Sequence, residues 1–323
     1  MRAIIYPVRK QTAFTLLKIV IGTGLIVLLI RIIPLREVAT HLRNANIYYL
    51  LLATGLLLSG LLVGPVRWSG LLSTKGIHIP LRKLASYFYI GLFFNNFLPT
   101  IVGGDVARAT YVALESDKRS EAFASTVVDR AIGFLALTVI VLFVTLTFSH
   151  LVLDKSIFVV LVLVIFCITV LVSLFFNRSI FNRLVGVLPR IRFYKLGSRL
   201  ASLYSSIYSY REHKSPCLIA FGLSIVLQSA LIMSNCFLGY SVGVRISPVY
   251  YFLFIPLISF MSMIPLSPNA IGIRESGYVL LFSQIGVTRS QALSLSFLNL
   301  FLVLLAALIG GICFLFQKER FKL

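Results

Sequence analysis

Three short clusters place charged or turn-forming residues inside otherwise apolar stretches, and each has residue types suited to holding an anion or balancing a cation. The first runs Asn95-Asn96-Phe97-Leu98-Pro99-Thr100-Ile101-Val102-Gly103-Gly104-Asp105-Val106-Ala107-Arg108. Pro99 should end one helix, and Gly103 and Gly104 permit a sharp turn with close backbone approach. Asp105 or the freed amides of the following helix N-terminus can then cap that helix or cradle a ligand. A purely structural alternative has Asp105 capping the helix and pairing with Arg108. The second cluster is Asp129-Arg130 with Gly133 one turn later. Adjacent residues on a helix point in different directions, so these two should meet separate partners. Ionisable groups inside a span are costly and mostly face the bundle interior, as ligands, relays or inter-helix ion pairs. The third cluster is Ile264-Pro265-Leu266-Ser267-Pro268-Asn269-Ala270-Ile271-Gly272-Ile273-Arg274-Glu275-Ser276-Gly277. Its two prolines should break a helix, Gly272 and Gly277 allow close packing, and Arg274 and Glu275 should begin the returning half. Architectural punctuation would use the same pattern.

The candidate binding set is therefore Asn96, Pro99, Gly103, Gly104, Asp105, Arg108, Asp129, Arg130, Pro265, Ser267, Gly272, Arg274 and Glu275. Arginine suits the forked oxygens of a phosphate, and the carboxylates can balance those charges or receive a cationic headgroup. Catalysis finds no comparable support. His41, His78, His150 and His213 are scattered over loops, and Cys167, Cys217, Cys236 and Cys313 lie in or beside apolar segments without CxxC spacing. The sequence carries no GxSxG, HExxH, Walker or Rossmann pattern, so neither an enzyme nor a metal or organic cofactor is expected.

The elements that must position these residues are membrane helices. Hydrophobic residues make up 59% of the 323 and charged ones only 12%, with a mean hydropathy of +0.97; a soluble chain could not bury so much apolar surface. Runs near the roughly 20 residues needed to cross about 30 Å of hydrocarbon fall at about Phe14–Ile33, Tyr48–Val66, Phe123–Phe148, Ile157–Phe176, Cys217–Leu238 and Ala292–Phe316. Two shorter stretches, Leu84–Leu98 and Val249–Ile264, run into Pro and Gly.

The net charge of +20 would suggest nucleic acid in a soluble chain, but the basic residues lie between the apolar runs and read as topology signals. They gather in the N-terminus, in the segment Arg67, Lys75, Arg82 and Lys83 after span two, in 177–215 and in the C-terminus, all expected inside. A full crossing at Leu84–Leu98 would carry the eight lysines and arginines of 177–215 outside. The consistent solution makes both short stretches re-entrant, entering from opposite faces. The expected fold is thus all-α, one polytopic membrane domain over 1–323 with about six full spans and two opposed re-entrant helical hairpins, which allow an inverted repeat. Residues 177–215 form a cytoplasmic basic segment whose apolar positions fall on helical faces, suited to lying on an anionic leaflet. Gly60 and Gly64 form a GxxxG in span two, a mark of helix packing.

In their order, NNFLPTIVGGDVAR, VVDRAIG and IPLSPNAIGIRESG resemble the transmembrane region of lysylphosphatidylglycerol synthase and flippase proteins, over most of the chain. The resemblance implies a flippase-like protein of the cytoplasmic membrane that moves an anionic or aminoacylated phospholipid, or a polyprenyl-linked carrier. It departs from the full-length enzyme in ending at Leu323 without a soluble aminoacyl-transfer domain, so synthesis of the lipid is not expected. Membrane lipids are the expected partners, no nucleic acid is, and there is room for a separate lipid-modifying enzyme and for a homodimer. Two other classes fit the same residues: an accessory or catalytic subunit of a lipid or lipid-linked glycan pathway, and a transporter of a small solute.

Overall fold

A backbone in hydrocarbon must satisfy its own hydrogen bonds, and this chain does so with helices. The computed structural model describes residues 23–29, 31–97, 102–148, 202–264 and 267–318, and no strand occurs among them. The described helices are α1 Leu35–Arg43, α2 Ile47–Ser73, α3 Leu81–Phe97, α4 Gly103–Ser116, α5 Arg119–Thr147, α6 Lys214–Ser241, α7 Pro248–Met261, α8 Ile273–Ser283 and α9 Arg289–Lys318. Four of them, α2, α5, α6 and α9, are long and apolar enough to cross a membrane. They coincide with four of the expected spans. The span expected over 157–176 lies outside the described residues, as do half of the first span and residues 177–201 of the basic segment. Large apolar side chains such as Phe143, Leu146 and Phe316 point outward from the spans, as lipid contact requires.

Spans α2 and α6 pack antiparallel through small residues. Ser234 of α6 donates to the carbonyl of Ala53 in α2 at 2.7 Å, and a side chain at Gly60 would press on Ala230. Gly64 is covered by the ring of Phe88, so the GxxxG of α2 serves packing within the fold. One end of the bundle gathers the ends of α2 and α9 and the starts of α3, α5 and α6, as the Gln317–Ser86 and Tyr210–Leu71 hydrogen bonds show. The opposite end is closed by the amide of Asn46 on the carbonyl of Ser241 and by Gln291 on Gly243.

Between the spans lie two pairs of half-length helices. In α3 and α4, Lys83 meets Glu115, Tyr87 stacks on Tyr111 at 5.2 Å, and Gly91 lies against Gly104. In α7 and α8, Tyr251 and Phe254 meet Phe282, and Ile258 meets Gly277. Both pairs are antiparallel. Their bases sit at opposite ends of the bundle, and their tips touch where Asn269 Nδ2 donates to the carbonyl of Asn96 at 3.0 Å.

Two sequence expectations change. Arg67 is not in a loop: α2 runs on past Val66 to Ser73, because its buried stripe of Gly60, Gly64, Trp68 and Leu71 continues unbroken. In the described part of the basic segment, Leu203 and Ile207 turn onto a protein cluster of Leu71, Ala124 and Ala220 instead of onto lipid.

Candidate functional site

Asp129 lies ten residues into α5, roughly 15 Å from its start at 1.5 Å per residue. Only 1% of the residue is exposed, so its charge depends on partners in the protein. Its partners come from three helices. Arg67 of α2 donates Nε to Asp129 Oδ1 at 2.7 Å and a terminal nitrogen to Ser224 of α6 at 2.8 Å. Arg108 of α4 donates both terminal nitrogens to Asp129 Oδ2 at 3.1 Å. The Arg108 guanidinium also lies 4.8 Å from the ring of Trp68 and 5.4 Å from that of Phe88. Such stacking on aromatic faces suits a weakly hydrated cation.

Asp105 extends the ladder. It stands one turn before Arg108 and accepts from its Nε at 3.1 Å, while its other oxygen pairs with Arg130. Asp129 and Arg130, adjacent in sequence, thus serve different partners, as their helical directions require. Three arginines alternate with two aspartates, leaving one net positive charge in the protein interior.

The hairpin glycines bring this ladder together. A side chain at Gly104 would overlap the carbonyl of Gly91 and the side chain of Asn95, and the Gly104 amide donates to Asn95 Oδ1 at 2.9 Å. Gly103 opens α4. Asn95 faces the cavity, whereas the side chain of Asn96 turns back to Leu92 O at 2.9 Å and its carbonyl receives Asn269.

At the second tip, Gly272 has φ 87° and precedes α8; its amide donates to Glu275 Oε2 at 2.6 Å. Glu275 Oε1 accepts both Nε and a terminal nitrogen of its neighbour Arg274, at 3.0 and 2.6 Å. Ser267 is buried beside this turn. Asn269 and Ala270 have φ of 50° and 55°, left-handed conformations that cost non-glycine residues energy and cluster at functional turns. Pro99 and Pro265 lie outside the described residues.

Two cavities meet here. One, about 210 Å³, is walled by Arg67, Arg108, Asp105, Asp129 and Arg130. The other, about 380 Å³, is walled by Arg274, Tyr278, Asn235, Asn299 and Ser259. Arg130, Phe134 and Gln228 belong to both walls. The structure therefore joins the three sequence clusters along one cleft. Sequence reasoning missed Arg67, Asn95, Gln228, and the Tyr278 hydroxyl bonded to Asn235 at 2.6 Å. For Arg67 the signal was present, since it continues the packing face begun by Gly60 and Gly64.

At the base of the first hairpin, burial acts to raise the Glu115 pKa. Hydrogen bonds from Lys83 and Tyr87 and the lysine charge outweigh it, holding the carboxyl below its usual value.

An all-α bundle with apolar spans, paired half-length helices and an internal arginine-aspartate ladder defines an integral membrane protein. The signature of the lysylphosphatidylglycerol synthase TM region matches residues 15–317, and the chain belongs to that family. It is 24% identical to a UPF0104 membrane protein of Pyrococcus horikoshii over 94% of this chain and 97% of the relative. A UPF0104 membrane protein of Methanothermobacter thermautotrophicus is 26% identical, over 84% of this chain and 86% of the relative. One of Methanocaldococcus jannaschii is 24% identical over 96% and 97%. No solved structure matches the chain significantly.

Proposed function

We propose that this chain is a flippase-like lipid translocator of the cytoplasmic membrane. It would carry a phosphate-bearing headgroup, of an anionic or aminoacylated phospholipid or a lipid-linked intermediate, along the cleft between the two hairpins. The observation that carries this is Arg130, which stands on the wall of both cavities where the hairpin tips meet.

Half-length helices that enter a bundle from opposite ends and meet near its middle suit alternating access, because the cavity they line can open to either end by small rocking movements. Read as re-entrant hairpins, α3–α4 and α7–α8 keep irregular backbone inside protein, where the membrane tolerates it. The acyl chains would stay in the bilayer while the headgroup passes the arginines. The end rich in lysine and arginine, including Lys75, Arg82, Lys83 and Lys214, is then the cytoplasmic one and holds the C-terminus.

The test is translocation of fluorescent phosphatidylglycerol in proteoliposomes. The chain should accelerate movement between leaflets, and Arg130→Ala should reduce the rate at least about tenfold, the loss expected for about 1.4 kcal/mol of headgroup binding. Rates equal to those of empty vesicles for every phospholipid and polyprenyl phosphate tried would defeat the reading.

A further inference from the structure

We infer that the lipid taken by this cleft has a phosphate whose remaining headgroup is uncharged and hydroxylated, a polyol or sugar, and not an aminoacyl ammonium. This rests on the translocation reading above and narrows its substrate class.

Each carboxylate described beside the cleft is already paired with arginine. Asp129 holds Arg67 and Arg108, and Asp105 holds Arg108 and Arg130. Glu275 is occupied by Arg274 and the amide of Gly272. A cationic headgroup would have to share a carboxylate with a guanidinium, in a region that already has one net positive charge. At this depth the low dielectric makes such like-charge contact costly. A phosphate has the opposite relation: it adds the negative charge the ladder lacks and can share the guanidinium donors of Arg130 and Arg274, which stand on the same cavity wall.

Aromatic rings offer a cation no substitute. Phe134 already faces Arg130 at 5.7 Å, and Tyr278 stacks on Phe282 at 5.8 Å. Beyond the arginines, the larger cavity presents the neutral amides of Gln228 and Asn299 and the hydroxyls of Ser259 and Ser262. Both hydroxyls donate to backbone carbonyls four residues earlier, at 2.9 and 2.7 Å, and so keep only acceptor lone pairs for a ligand. Amides that donate and accept, beside hydroxyls set to accept, match the hydroxyls of a polyol or sugar.

The experiment titrates purified full-length chain in detergent, at low salt, with short-chain phosphatidylglycerol, its lysyl ester and a glycosylated polyprenyl phosphate. The same three lipids, fluorescently labelled, are followed for translocation in proteoliposomes. At least one of the two lipids with uncharged headgroups should bind about tenfold more tightly than the lysyl ester, and the tighter of the pair names the source. Asp105→Asn adds a positive charge and should widen that ratio, whereas Arg130→Gln should narrow it. A lysyl ester bound equally or better by the unsubstituted chain overturns the inference, even if lipid moves, and so does failure of all three to bind. Selective binding without movement of any lipid would overturn the translocation reading while leaving the site chemistry in place.

Discussion

Asp129 is the residue on which the interior charges depend. It is the common partner of Arg67 and Arg108, both nearly as buried as itself. Removing one member of a buried ion pair strands the other, at a cost of about 3–5 kcal/mol. Asp129→Ala should therefore lower thermal stability in detergent strongly. Arg67→Met should do so alone, and the double variant should cost less than the sum, because the two changes remove one shared interaction. Additivity in the thermal melts would show that the pair is not coupled. Near the surface, Glu115 gives a pH signature. Its carboxyl is held below its ordinary pKa, so its stabilising contribution is present above the unfolded-state pKa and is lost as pH falls through the lower folded value. Glu115→Gln should flatten the acid limb of a stability-pH profile, and an unchanged limb would assign that limb to other groups. Asp105, Arg108, Asp129 and Arg130 were all legible in the sequence, because charges inside apolar runs have few alternatives. Arg67 was passed over although it continues the face of Gly60 and Gly64, since a charge at the edge of an apolar run reads equally well as a loop residue.

At the scale of elements, the fold depends on how closely the half-length helices can approach. Gly91 and Gly104 put α3 and α4 in backbone contact, which lets Arg108 reach across to Asp129. A methyl group at position 104 would push α4 outward, so Gly104→Ala should destabilise by about 1–3 kcal/mol, as overpacking does. It should also weaken headgroup binding more than an alanine at Gly55, where nothing lies within 4 Å of an added Cβ. Equal effects in thermal melts and lipid titrations would remove the hairpin contact from the account. The four described spans could be read from apolar length alone, and the two short stretches from the conflict between span count and charge. The return of the second stretch was legible as well, because two prolines ahead of Arg274 and Glu275 mark a turn. The contact between Asn269 and Asn96 was not, since 173 residues separate them and no local pattern encodes a tip-to-tip hydrogen bond.

Over the whole molecule, basic residues collect at the end where both α3 and α6 begin. Orientation with that end in the cytoplasm makes Arg82 and Arg245 lie on opposite sides, which impermeant thiol labelling of single cysteines at those positions reads directly. Labelling of both from one side would invalidate the assignment of the hairpins to opposite faces. The central claim, that lipid passes where the hairpin tips meet, has a more direct test. In a chain with its native cysteines replaced, Asn96→Cys and Asn269→Cys can be joined by a short reducible bis-thiol crosslinker and released by reductant in the same vesicles. Translocation should stop on crosslinking and return on reduction. An unchanged rate with the tips covalently joined would contradict the account.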